Sequence, residues 1–237
     1  MKTIKQKQFN LAMKSYNSSN RYKHIYKIVS TLNVSMQIIL LFILFSLTMP
    51  WYLYLIGFFI AYFLTDFING LVHMYMDNND NYNSIWGPFI ASFHLHHKTE
   101  KYKEANIFLL YFNESGAKFW LVPYLIIVLL LSTMAINPFV LLLLIYIGIL
   151  SSFSEISHYL CHNADSNFIT TLQKYRILLP ISHHAKHHQY DNQSYAFLNG
   201  TSDFIIDKIA KKLYTGYKNG SDEHFKTYDG AGTDNRD

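Results

Sequence analysis

Most of the 12 histidines in this chain stand in four short groups whose spacing is typical of metal ligands. The densest group reads His183-His184-Ala-Lys-His187-His188. On a helix His183 pairs with His187 and His184 pairs with His188, because residues four apart lie one above the other. Two such imidazole pairs can bind two metal ions, or one ion together with the residues that orient its ligands. The other groups are His73; His94, His96 and His97; and His158 and His162.

Three carboxylates are spaced so that they share helix faces with these histidines. Asp66, His73 and Asp77 stand at i, i+7 and i+11, and Glu155 stands three residues before His158, a spacing that carboxylate-bridged metal sites use. An ionisable residue such as Asp66 inside an apolar segment is costly and usually has a functional partner; the alternative is an aspartate that reaches water at a helix end. We expect Asp66, Asp77 and Glu155 to orient imidazoles or to complete the coordination.

The donor set narrows the choice of metal. A single cysteine, Cys161, excludes an internal disulfide and a cysteine-based zinc or iron–sulfur site, and its position between His158 and His162 suggests packing. Imidazoles and carboxylates suit Fe, Zn, Cu or Ni, but the histidines outnumber the four ligands of a tetrahedral zinc, whereas two iron ions could use them all. A histidine-rich loop that scavenges Zn or Ni explains one group, not four. We expect direct ligation by His73, His96, His97, His158, His162, His184, His187 and His188, with His183 a ligand or a donor to one.

The elements that must position these groups are apolar helices. Hydrophobic residues make up 50% of the chain and charged residues 15%, which is more apolar than a typical soluble domain. Two blocks, residues 32–64 and 119–153, contain no Lys or Arg, and each exceeds the roughly 20 residues that cross a bilayer. Pro50 and Pro138 lie near their middles. The sequence therefore predicts an all-α integral membrane protein with four transmembrane helices in two hairpins, at residues 33–49, 51–73, 119–135 and 138–158, below a cytosolic cap of histidine boxes.

The basic residues predict the orientation. Residues 1–31 contain seven Lys or Arg and no acidic residue, and the remaining basic residues stand in the central loop or after the fourth span. The positive-inside rule then places both termini in the cytosol, on the side that also carries the histidine groups. We expect a basic cytosolic segment at 1–31, the membrane domain and its cap at 32–217, and a disordered tail at 218–237. The host membrane would be a bacterial inner membrane or the endoplasmic reticulum, and the charge pattern favours a membrane surface over nucleic acid.

The order of the boxes resembles that of the membrane lipid desaturases of the Kua and CarF type, which include plasmanylethanolamine desaturase. The resemblance covers roughly residues 51–203. It rests on Asp66-x3-Gly70-x2-His73-x3-Asp77, Phe93-x2-His96-His97, His158-x3-His162, and His183-His184-x2-His187-His188 followed by Tyr195 and Asn199-Gly200. It implies a di-iron enzyme that uses O2 to desaturate the 1-O-alkyl chain of an ether phospholipid to a vinyl ether, giving a plasmalogen. Its partners would be that phospholipid in the bilayer and an electron donor of the cytochrome b5 or ferredoxin type.

Departures from the family pattern leave the boxes intact but leave the substrate open. Ser154-Glu155-Ile156 replaces an Asn-Gln pair, His94 replaces an arginine, and Lys98-Thr99-Glu100 and Asp191-Asn192-Gln193 stand where the family has a proline and a further histidine. The alternatives are a fatty-acyl desaturase, a lipid or sterol hydroxylase, and a non-enzymatic metal-binding membrane protein. Transport is disfavoured because spans one and three carry few polar side chains. His24 and His224 lie outside the boxes and are expected at the surface, and the oligomeric state is left open.

Overall fold

The computed structural model describes residues 3–97, 106–163 and 166–228, and these residues form helices joined by turns and loops, without a strand. The helices of these segments are α1 Ile4–Ser18, α2 Asn20–Ser46, α3 Trp51–Asn78, α4 Gly87–His94, a 3-10 turn Leu95–His97, α5 Ile107–Ser115, α6 Leu121–Ser132, α7 Pro138–Asn163, α8 Asn167–Lys174, α9 Ile181–Gln189, α10 Asp203–Leu213 and α11 Ser221–Lys226. The prediction of an all-α fold is confirmed.

Three of these helices, α2, α3 and α7, are long and apolar enough to cross a membrane. Helix α6 is apolar but has only 12 residues, a rise of about 18 Å against a hydrocarbon core of about 30 Å. The third predicted span is therefore shorter than expected, because turns at 116–120 and 133–137 replace its ends. The helix of the first predicted span is longer than expected, since α2 begins at Asn20 rather than at residue 33.

The apolar helices pack around one core. Leu40 of α2, Leu125 of α6, and Leu142 and Ile145 of α7 are fully buried in a single cluster. Helices α3 and α7 make the most extensive pairing in the described part of the chain. Both carry a histidine group in their last turns, so this pairing brings the two ligand-bearing ends together.

A second core lies apart from the first and includes chain segments from both ends of the sequence. Phe9 of α1, Ile90 of α4 and Phe225 of α11 are buried together. The prediction of a disordered tail is wrong for residues 221–226, because α11 buries Phe225 in this core; residues 229–237 lie outside the described residues. His224 is also buried, not at the surface.

A close approach at Gly70 holds the loop before α10 against α3. A Cβ at this position would lie 3.1 Å from the backbone Cα of Ala196 and would overlap the side chain of Ile206. One turn further along α3, His73 meets the carbonyl oxygen of Tyr195, next to Ala196 in sequence. The absent side chain at position 70 therefore sets the depth at which this loop meets the histidine.

We expect Gly70→Ala to lower the thermal unfolding temperature in detergent and to lower the amount of metal bound per protein. Overpacking costs about 1–3 kcal/mol, which the better helix propensity of alanine, about 1 kcal/mol, only partly offsets. Leu55→Ala, at a half-exposed position of the same helix, is the control. Metal content equal to wild type in Gly70→Ala would contradict this account of the loop.

Candidate metal centre

Four histidines and one aspartate converge in a first group. His73 and Asp77 come from the end of α3, His96 and His97 from the 3-10 turn, and His187 from α9. One nitrogen or oxygen of each residue lies within 4.8 Å of all the others, an arrangement that could hold a metal ion. Distant parts of the sequence are thus brought to one point.

The outward-facing nitrogens of this group show how its rings are protonated. His73 Nδ1 lies 2.8 Å from the Tyr195 carbonyl oxygen, and His97 Nδ1 lies 2.8 Å from Asp222 Oδ1. Because carbonyl and carboxylate oxygens only accept, each Nδ1 must carry the proton and donate it. Two further pairs follow the same rule: His96 to Phe93 at 2.6 Å and His187 to Gln193 at 3.1 Å.

The inward-facing nitrogens then have lone pairs and no protons between them. His73 Nε2 lies 3.2 Å from His96 Nε2, and His97 Nε2 lies 3.1 Å from His187 Nε2. Two lone pairs cannot form a hydrogen bond, so these contacts need a cation between them. A metal with bonds to nitrogen of about 2.0–2.1 Å has ligand edges of roughly 2.9–3.4 Å, depending on the angle, which these distances match.

Asp77 completes the first group. Its carboxylate oxygens lie 3.3 Å from His187 Nε2, 3.4 Å from His73 Nε2 and 3.5 Å from His97 Nε2. Neither oxygen accepts a hydrogen bond from the described residues, although the side chain is fully buried. A buried carboxylate without a partner is costly. This side chain fits a metal ligand, and its prediction as a coordinating carboxylate agrees with the geometry.

A second group contains imidazoles only. His158 and His162 at the end of α7 meet His184 of α9, a set that could also hold a metal ion. His184 Nε2 lies 2.9 Å from both His158 Nε2 and His188 Nε2. One ring nitrogen offers a single proton or a single lone pair, so it cannot satisfy both neighbours. A shared metal ion would be a common partner for all of them.

The two groups are neighbours. The ring of His188 lies 5.2 Å from that of His97 in the first group and 4.5 Å from that of His184 in the second, between ring centroids. The rings of His184 and His187 are 5.8 Å apart. The arrangement can therefore hold two ions close to each other.

The histidines of the two groups that lie outside the long apolar helices are kept neutral by burial and by neighbouring imidazoles. Burial lowers the pKa of His187 to about 4. Burial, together with neighbouring imidazoles, lowers the pKa of His96, His97 and His184 well below its ordinary value. At neutral pH the lone pairs are thus free to bind a metal, since metal ligation needs the neutral ring.

His183 is the one predicted ligand that lies apart from both groups. Its Nε2 contacts Asp203 Oδ2 at 2.6 Å, and Asp203 also accepts from the Ala196 amide. The predicted pairing of His183 with His187 is therefore wrong. At 3.6 residues per turn, about 100° per residue, His183 lies about 40° from His187 and about 140° from His188, which places it at the edge of the face that the other three histidines of α9 share, and its ring contacts Asp203 instead.

Asp66 anchors a loop and contacts no histidine of either group. Its Oδ1 accepts from the amides of Leu198, Asn199 and Gly200, and its Oδ2 accepts from the amide and hydroxyl of Ser202. The prediction that Asp66 contacts an imidazole or binds the metal is therefore wrong. Its partner is the backbone of the loop that carries Tyr195.

Glu155 lies beside the second group but is already paired. Its Oε1 is 2.8 Å from Lys118 Nζ, whereas its Oε2 is 3.9 Å from His158 Nδ1. Lys118 is buried and also donates to Asn69 Oδ1. Glu155 therefore orients His158 more loosely than predicted, and Lys118, a basic residue of the central loop, is its ion-pair partner.

His94 belongs to a separate polar chain in the cap. Its Nε2 donates to the Met76 carbonyl oxygen, so its Nδ1 accepts from the Tyr82 hydroxyl, which in turn accepts from His224 Nδ1. Burial lowers the pKa of His94 to about 4. These two histidines tie α4 to α11 and are not part of either metal group.

Two contacts escaped the sequence analysis because nothing in the local pattern marks them. Asp222 stands in the segment expected to be disordered, yet it accepts from His97. Tyr217 is buried and its hydroxyl donates to the His187 carbonyl oxygen at 2.7 Å. Neither residue has a periodic relation to a histidine box, so spacing alone cannot find them.

Comparison with known proteins identifies the domain. Residues 62–214, more than half of the chain, match the family model described as a lipid desaturase domain. Both histidine groups and Asp77 lie inside the matched region, while Asp222 lies outside it. Searches of curated proteins and of solved structures gave no significant match.

The two aspartates of α3 give opposite expectations. Asp77→Asn removes a buried charge without a hydrogen bond, so we expect loss of bound metal with metal-free thermal stability unchanged or higher. Asp66→Asn removes charged acceptors worth about 1.5–3 kcal/mol each, so we expect a lower unfolding temperature. Metal content by elemental analysis and melting of the chelator-treated protein measure both. A destabilised metal-free Asp77→Asn protein would contradict the assignment.

The pair formed by Lys118 and Glu155 can be tested by a double-mutant cycle. Lys118→Met leaves a largely buried carboxylate without its cation, which we expect to cost about 3 kcal/mol. The double variant Lys118→Met/Glu155→Gln removes both charges and should recover most of that loss. Denaturant unfolding in detergent of Lys118→Met, Glu155→Gln and the double variant gives the three differences from wild type, and additive effects of the two single changes would rule out the pair.

Proposed function

The chain belongs to the lipid desaturase domain family, and on that premise we propose that it is an oxygen-dependent membrane desaturase with a di-iron centre. The observation that carries the proposal is the convergence of four imidazole Nε2 atoms on Asp77, each ring held by an Nδ1 donor bond. A second group of imidazoles stands beside it. A single tetrahedral zinc would leave about half of these donors unused.

The number of donors supports iron. The first ion would be held by His73, Asp77, His96, His97 and His187, and the second by His158, His162, His184 and His188. Such a centre, when bound, activates O2 to remove hydrogen from an unactivated C–H bond. For a desaturation the electrons balance when two come from the C–H bonds, two from an external donor, and O2 leaves as two water molecules. We propose a cytochrome b5 or ferredoxin type protein as that donor.

We further propose that four segments cross the bilayer, with the histidine groups on the cytosolic side. Helices α3 and α7 both end at the histidine groups, so they run in the same direction. Helices α2 and α6 directly precede α3 and α7 in the chain. Each would therefore begin on the side of the histidine groups and run to the opposite side of the bilayer. Helix α6 with its flanking turns would complete the third crossing, and both termini would face the cytosol with the basic residues.

Two phenylalanine rings pack against histidines of the proposed centre. The ring of Phe197 lies 5.5 Å from that of His73 and 5.7 Å from that of His158, so it contacts one ring of each group. Phe93 lies 4.6 Å from His96. We propose that these rings limit the access of water to the histidines that they contact.

For the substrate we propose the 1-O-alkyl chain of an ether phospholipid, which would become a vinyl ether. The support is the order of the boxes, which the departures from the family pattern leave intact, and the place of ligand-bearing residues toward the ends of two long apolar helices. Acyl desaturation and lipid hydroxylation begin with the same hydrogen removal, so the product separates them.

Lipid mass spectrometry on cells fed an alkylglycerol tests this function. We expect wild-type protein to give acid-labile species two hydrogens lighter than the precursor, and His187→Ala to give none. His24→Ala, outside both groups, is the matched control and should behave as wild type. Species one oxygen heavier would indicate a hydroxylase, and an unchanged ether-lipid pool with a folded, iron-loaded protein would rule out this substrate.

A further inference from the structure

The chain just beyond the matched family region runs along the first histidine group. The family match ends at residue 214, yet the next polar side chains contact residues of the proposed centre. Lys218 Nζ donates to the His188 carbonyl oxygen at 2.7 Å, and Ser221 Oγ donates to the Asp77 carbonyl oxygen. Together with Tyr217 on His187 and Asp222 on His97, the segment 217–222 contacts four ligand-bearing residues.

Asp222 differs from the other partners of the first group. His73, His96 and His187 each donate to a neutral backbone carbonyl, whereas His97 donates to the carboxylate of Asp222 at 2.8 Å. Asp222 is 2% exposed, and its second oxygen lies 3.0 Å from Lys218 Nζ. A carboxylate on the far nitrogen fixes a ring and makes its metal-facing nitrogen more basic. A neutral carbonyl fixes the ring with less effect on basicity.

The segment does not depend on Asp222 for its place. Phe225 is buried against Phe9 of α1 and Ile90 of α4, and Tyr217 is 1% exposed. Gln6 of α1 also donates to the His224 carbonyl oxygen. These contacts hold α11 on the cap, so a change of charge at position 222 leaves the anchoring contacts in place.

We propose that Asp222 is a positioning residue of the metal centre, which acts through His97 to raise the affinity of the first group for its ion. The segment 217–222 is therefore part of the functional unit although it lies outside the matched domain. The proposal rests on the metal centre proposed above and not on the identity of the lipid.

The test compares Asp222→Asn with Glu223→Gln, the next residue and a half-exposed carboxylate. Chelator-treated full-length protein in detergent is titrated with Fe(II) under anaerobic conditions, followed by iron per protein, optical and Mössbauer spectra, and metal-free melting. We expect Asp222→Asn to lose about 10–100-fold in affinity for one of two ions, with a changed spectrum of that ion. Glu223→Gln should match wild type. Equal affinity and spectra in Asp222→Asn and wild type would overturn the proposal.

A second background separates positioning from a general loss of structure. In His97→Ala the partner ring is absent, so adding Asp222→Asn should cause no further loss of affinity. An equal further loss there would show that Asp222 acts through the fold, and would overturn the proposal even if Asp222→Asn alone is less stable. If the iron titration shows the affinity change but the lipid experiment finds no vinyl ethers, the proposed substrate would be wrong and the role of Asp222 would still hold.

Discussion

The structure depends on four imidazoles that are forced to turn their lone pairs toward one another. Once Nδ1 of His73, His96, His97 and His187 donates to a fixed oxygen, each Nε2 must face the centre without a proton. In a buried site this mutual repulsion, added to the unpaired carboxylate of Asp77, is costly without a cation. Folding energy from elsewhere must hold the rings in place, and metal binding then relieves the cost.

Part of the energy that holds the rings in place comes from the loop between α9 and α10, whose backbone carbonyls accept from two of the four rings. Tyr195 and Gln193 accept from His73 and His187, and the loop that carries them is tied down by Asp66 through charged hydrogen bonds to the amides of residues 198–200 and 202. Gly70 lets the same loop approach α3. Asp66, which contacts neither histidine group, thus supports the centre by fixing the acceptors of its ligands.

Spacing along a helix predicts which residues share a face, and this is why His158, His162, His184, His188 and Asp77 could be assigned from the sequence. The same rule says nothing about where a face points, so it could not separate His183, at the rim of the inner face of α9, from His187. Residues that meet only through the tertiary fold were missed altogether. Asp222 reaches His97 from a polar segment whose composition resembles a disordered tail, and the buried ring of Phe225 helps to anchor that segment against α1 and α4. The family region could be recognised from the order of the boxes, because that order is a property of the sequence.

The two groups are not equivalent in charge. The first has Asp77 among its donors and Asp222 behind His97, so two carboxylates would act on an ion bound there. The second has imidazoles only, and the carboxylate nearest to it, Glu155, is neutralised by Lys118 at 2.8 Å. An ion bound in the first group would therefore have more of its positive charge balanced by the protein than an ion bound in the second.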